Sequence, residues 1–153
     1  MILLYEKLVN KYQDEVTIRE EKMPYKLPGL YLNGMIFISK DQSSIEKGCV
    51  LVEELMHYKY TVGNITKQET IMDKKQEIFA RRKGYEELIP LDDIIACFYL
   101  GLREYFEVAE FLEVTEEFLR HTVSHYAEKY GPMYDYGGYF INFGNSIDVY
   151  KKF

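Results

Sequence analysis

From Leu30 to Ile38 the chain reads Leu-Tyr-Leu-Asn-Gly-Met-Ile-Phe-Ile, an Asn-Gly pair set between two β-rich runs. Asn and Gly tolerate the positive φ that a two-residue turn demands, so this stretch fixes a hairpin and the register of its two strands. Shortly afterwards Ser43 and Glu46 stand at capping-box spacing, which starts a helix near Ser44 and carries it to about Tyr58. A hairpin feeding into a capped helix predicts a small antiparallel sheet ahead of that helix. Upstream, residues 2 to 12 have the apolar spacing of an amphipathic helix, and Glu15 to Arg19 alternate like a short strand.

The capped helix carries Glu53-Glu54-Leu55-Met56-His57. This reads as the zinc-peptidase helix H-E-x-x-H with its first histidine replaced by glutamate. Positions 53 and 57 are one turn apart and share a face, while Glu54 lies beside that face, within reach of a water held by a metal. A catalytic site of this type takes a third protein ligand from elsewhere and leaves a position for water. The best candidate is Glu77, on the next long helix, expected from Asp73 to Leu88 and stopped by Pro90.

Downstream, Leu91-Asp92-Asp93 opens a further helix through Leu100, which Gly101 ends. Residues 104 to 130 then read as helix, short turn, helix, with Thr115 as N-cap and Gly131-Pro132 as the stop, an outline resembling a helix-turn-helix. Its outward face offers Glu116, Glu117, Arg120, His121 and Ser124, and carboxylates there repel phosphates. The tail alternates enough for one or two short strands around Gly144-Asn145. No repeat, low-complexity segment or linker divides the 153 residues, so a single domain is expected: a core over about 1–100, a helical extension over about 101–130, and short strands over 131–153.

A net charge of −6 disfavours binding along a nucleic-acid backbone, which needs clustered Lys and Arg. No apolar run is long enough for a membrane span or a signal peptide, so a soluble cytoplasmic protein is expected. Cys49 and Cys97 lack the spacing of a metal knuckle or redox pair and read as small core residues. The 15 tyrosines concentrate after residue 125, which points to a packing or contact surface at that end.

The order of hairpin, ELxH-bearing helix, E-x-x-A-bearing helix, Leu-Ile-Pro and a run of short helices resembles the ImmA/IrrE metallopeptidases of phages and integrative elements, over roughly residues 1 to 130. Glu77, Ala80, Leu88 and Pro90 match that family's pattern, whereas Arg81 stands where Asn is usual. The resemblance implies an α+β, mainly helical, zincin-like domain with a C-terminal helix-turn-helix-like segment. It implies Glu54 as general base and Glu53, His57 and Glu77 as metal ligands, with zinc as the ion. It further implies, as substrate, a helix-turn-helix repressor of a mobile element.

Glu53 alters that expectation. A divalent ion on two histidines and a glutamate keeps a net positive charge, whereas on Glu53, His57 and Glu77 it is neutral, and a less positive ion polarises carbonyl and water less. Carboxylate-rich ligation also moves preference towards harder ions such as Mn²⁺. The outcomes compatible with the residues are an active enzyme with an altered site, a metal binder of little activity, and a metal-free descendant that serves as a partner-binding regulator. Each residue also has an ordinary reading: Glu53 and Glu54 as a solvated helix face, His57 as a favourable charge near a helix C-terminus, and Glu77 as the i,i+4 partner of Arg81. His121 and His125 share a helix face at a spacing that can clamp a metal, but with no evident acidic third ligand they read as surface residues.

Overall fold

The computed structural model describes residues 3–60, 71–144 and 146–152. They fall into two compact units, Met1–Gly84 and Tyr85–Phe153. The architecture is α+β and mainly helical, of zincin-like type, with small sheets and a helix-turn-helix-like segment.

In the first unit, α1 (Leu4–Tyr12) leads into β1 (Thr17–Glu21), a 3₁₀ turn at Pro24–Lys26, the hairpin β2 (Gly29–Leu32) and β3 (Met35–Ser39), α2 (Ser44–Tyr60), and then α3 (Ile71–Leu88), whose last turn belongs to the second unit. The hairpin forms where the sequence predicts it. Asn33 and Gly34 take φ of +50° and +77°, and Leu32 pairs with Met35. The sheet, however, is mixed rather than antiparallel: β3 is central, flanked by β2 antiparallel and β1 parallel. The strand expected at Glu15 to Arg19 also starts later, because the amides of Glu15 and Val16 donate to the Tyr12 carbonyl and hold those residues in the turn that ends α1. The segment after β1, with prolines at 24 and 28, carries the chain past β3, so that β2 begins on the opposite side.

Ser43 caps α2: its Oγ accepts from the Glu46 amide at 3.1 Å, while the Glu46 carboxylate accepts from the Ser43 hydroxyl at 3.2 Å. The helix continues to Tyr60, two residues beyond the predicted end; Gly63-Asn64, a pair that reads in the sequence as the end of this region, lies outside the described residues. Ile36 and Ile38 of β3 and Leu51, Val52 and Leu55 of α2 are completely buried. Each such side chain contributes roughly 1.5–3 kcal/mol, more than helix propensity offers over the same turns, so α2 is held by the sheet beneath it. Ala80 is fully buried, and a β-carbon at Gly84 would sit 3.7 Å from Met56 and Val52, so small residues let α3 come close to α2.

In the second unit α4 (Leu91–Tyr99), α5 (Tyr105–Leu112) and α6 (Glu116–Tyr130) precede the meander β4 (Met133–Tyr136), β5 (Tyr139–Phe143) and β6 (Ile147–Lys151). Three strands stand where one or two were expected, because Gly137 at φ +57° turns β4 into β5 ahead of Gly144. Asn145 lies outside the described residues. The turn between α5 and α6 is helix-turn-helix-like: Glu113 is left-handed, Thr115 Oγ1 accepts the Phe118 amide at 3.0 Å, and Ala109, Val114 and Leu119 are buried. Cys49 in α2 and Cys97 in α4 are buried and form no disulfide with each other. No helix among the described residues is long and apolar enough to cross a membrane.

The start of β2 is pressed against α2. A β-carbon on Gly29 would come within 2.5 Å of Val50 Cγ1 and 3.4 Å of Glu54 Cγ, so glycine there sets how closely the hairpin lies over the motif helix. Gly29→Ala should lower the free energy of unfolding in urea by about 1–3 kcal/mol, the usual range for overpacking. Adding Val50→Ala, which removes the obstructing methyl, should recover much of that loss. If the losses simply add, Val50 is not the obstacle.

Candidate metal centre

On α2, Glu53 and His57 are one turn apart and project from the same face. Glu77 of α3 meets that face, with its Oε2 2.9 Å from His57 Nε2, and both side chains are only about a tenth exposed (11% and 10%). Glu53, His57 and Glu77 each offer a ligand atom, and these atoms all lie within 4.8 Å of one another. Among the described residues no other three His, Cys, Asp or Glu side chains form such a group. Two carboxylates and an imidazole are a donor set that fits a divalent cation.

Glu54 lies on the side of α2 towards β2, beside the Gly29 backbone. Burial pushes its carboxyl up to about 7; His57 pulls it down, Glu53 and Glu77 push it up, and a hydrogen bond with the Tyr31 backbone lowers it. His57 is raised above the usual histidine range: burial alone would lower it, but the hydrogen bond to Glu77 and the charges of Glu54, Glu77 and Glu53 outweigh that. Burial would raise Glu77, yet its hydrogen bond to His57 and the His57 and Arg81 charges bring it below the usual carboxylate range. The contact between His57 and Glu77 thus favours the charged form of each, while burial favours the protonated form of Glu54.

The sequence missed two contacts of the site, the reach of Arg81 to Glu53 and the part of the Tyr31 backbone. Arg81 does pair with Glu77, as an i,i+4 partner should, with Nη2 to Oε1 at 3.1 Å; it also crosses to Glu53, whose Oε1 accepts from Nε and Nη2 at 3.3 Å. The second contact joins residues 28 apart in sequence, and no local spacing announces it. The Tyr31 backbone is invisible to side-chain motifs, although the hairpin register already places it on an edge strand.

The histidine pair on α6 divides. His121 is exposed as expected, but His125 is buried, which corrects its reading as a surface residue. Its Nε2 lies 3.2 Å from Glu86 Oε2, and Lys129 Nζ lies 2.7 Å from Glu86 Oε1. The rings of Tyr85 and Tyr126 flank it, so it closes a packed ion cluster within the second unit.

The Peptidase M78 family, described as the IrrE N-terminal-like domain, matches residues 6–124. No curated protein and no solved structure matches the chain.

The elevated Glu54 implies a pH-dependent penalty in metal-free protein. A carboxyl whose folded pKa exceeds its unfolded one contributes fully at low pH and loses that contribution as pH rises towards 7. With metal removed by chelation, Glu54→Gln should match wild type in urea unfolding near pH 4 and exceed it by on the order of 2 kcal/mol at pH 8. A constant difference across that range would show that Glu54 is solvated.

Proposed function

Because this chain belongs to the Peptidase M78 family of IrrE N-terminal-like domains, we propose that it is a metal-dependent endopeptidase acting through Glu54. Members of the family are metal-dependent, and the Glu53, His57 and Glu77 group has the donors to hold the ion. Zinc is the ion proposed, with Mn²⁺ or another divalent cation as the carboxylate-rich alternative. A divalent cation bound there supplies Lewis acidity towards a peptide carbonyl and makes water easier to deprotonate.

The observation that carries this reading is the convergence of Glu53, His57 and Glu77, their ligand atoms within 4.8 Å of one another, beside a Glu54 carboxyl that burial pushes up to about 7. A general base works best when its proton affinity lies near the working pH, since it then both accepts a proton and returns one. Glu54 therefore takes the proton from the attacking water and passes it to the leaving amine. Beside it runs β2, an edge strand, along which an extended peptide can pair by main-chain hydrogen bonds.

The substrate proposed is a helix-turn-helix repressor of a phage or mobile element in the cytoplasm, supported by the family resemblance. The chain's own helix-turn-helix-like segment does not act on DNA in this reading, because its exposed positions include Glu110, Glu116 and Glu117. A second reading, a partner-binding regulator of little or no activity, is favoured by one observation: Arg81 already neutralises the two ligand carboxylates.

Metal analysis of protein purified without chelator or tag metal separates the two readings. Stoichiometric divalent metal together with cleavage of a repressor substrate supports the enzyme, and absence of both removes it. Glu54→Gln should keep fold and metal content while abolishing hydrolysis, because an amide cannot accept the proton. Cleavage by this variant at the wild-type rate would rule Glu54 out.

Glu53→His is expected to tighten zinc binding, since it replaces a hard oxygen donor by imidazole nitrogen and leaves the loaded site one unit more positive. The zinc dissociation constant, measured at fixed pH because protons compete for histidine, should fall at least several-fold in the single variant and rise again in Glu53→His/His57→Ala. A gain that survives loss of His57 would place zinc elsewhere.

A further inference from the structure

Each proposed ligand is already engaged by another protein group. Glu77 accepts at Oε2 from His57 and at Oε1 from Arg81 Nη2, and Glu53 accepts at Oε1 from Arg81 Nε and Nη2. One guanidinium thereby spans the two carboxylates that would bring negative charge to a cation. Its planar fork suits that task, because Nη2 reaches both carboxylates while Nε stays on one of them.

The partners differ in their freedom to move. The Glu77 and His57 side chains are about a tenth exposed, whereas that of Arg81 is 45% exposed and reaches the cluster from the rim. If a cation enters, Arg81 is the group with solvent to retreat into. It stays close in any case, since it is one helical turn beyond Glu77.

From this geometry we propose that Arg81 is an internal counter-cation, occupying the Glu53 and Glu77 carboxylates in the metal-free protein and displaced when a divalent ion binds. The proposal rests on the reading of Glu53, His57 and Glu77 as metal ligands. It makes metal uptake an exchange of one cation for another: the metal-free site is held together by Arg81, and affinity for metal is lowered by the contacts that must break.

The test uses the full chain and Zn²⁺ alone, with dissociation constants from competition against a chromophoric chelator at fixed pH and salt. Arg81→Met keeps the aliphatic stem and removes the charge and fork; it should tighten zinc on the order of tenfold, the scale of one charge-assisted contact pair lost from the competing state. Arg81→Lys retains the charge but cannot span both carboxylates, and its constant should fall between those of wild type and Arg81→Met. Thermal unfolding gives a second readout: metal-free Arg81→Met should melt below metal-free wild type, because two carboxylates are left without their cation, while the zinc-loaded forms should melt together.

The control is His57→Ala. If it leaves zinc affinity unchanged, the metal-site reading itself is lost. If it weakens zinc while Arg81→Met binds no tighter than wild type, the ligands stand and the counter-cation is overturned. An Arg81→Lys protein indistinguishable from wild type would reduce Arg81 to a background charge, and displacement would likewise be overturned.

Discussion

Carboxylates held a few ångströms apart repel one another, and the site gathers Glu53, Glu54 and Glu77 around one imidazole. Such a cluster persists only if its charge is answered. The structure answers it in three ways: His57 against Glu77, Arg81 across Glu77 and Glu53, and a Glu54 carboxyl pushed up to about 7. α2 and α3 meet both through these pairs and through the apolar contacts around Ala80 and Gly84.

This balance explains how glutamate can stand at position 53, beside His57 and Glu77. With histidine there, the metal-free cluster would carry one negative charge fewer, and a guanidinium beside it would have less to neutralise. Glu53 and Arg81 are therefore best understood as a pair, since each offsets what the other does to the field at Glu77 and Glu54. The chemical consequence falls on Glu54, the proposed general base. Any positive charge brought into the cluster stabilises ionised Glu54, so the protonation state of the base is tied to how the two neighbouring carboxylates are neutralised.

What was legible in the sequence was local. Asn33-Gly34 encodes its turn in two residues, and Ser43 with Glu46 encodes the start of α2 in four; both form as read. The i,i+4 spacing of Glu53 and His57 is a property of helix geometry and could be read with equal safety. What depends on chain crossing was not legible. The parallel pairing of β1 with β3 is decided by the path between Glu21 and Gly29, and alternation within the strand says nothing about which neighbour it takes. The reach of Arg81 to Glu53 likewise depends on how closely α3 approaches α2. His125 escaped because its cover is supplied by Glu86, Tyr85 and Tyr126, gathered by the fold of the second unit rather than by its own helix face alone.

The tyrosines at the C-terminal end show how composition acquires a structural meaning. The family match stops at residue 124, while α6 runs on to Tyr130 and the meander follows. Tyr126 is buried, donates its hydroxyl to the Ile89 carbonyl at 2.7 Å and stacks on Phe143; Tyr130 continues the stack to Tyr134 at 4.0 Å between ring centroids. These rings join the end of α6 to the meander, and Ile141, Phe143, Ile147 and Val149 complete the buried side of that sheet. Tyrosine suits this seam because it covers apolar area with the ring while its hydroxyl reaches a polar partner, as Tyr136 does at Asp92. Stacking thus uses much of the tyrosine surplus within the second unit, and the outer side of the meander is left to Met133, Phe140 and Tyr150, half exposed and flanked by the Lys152 and Asp135 pair.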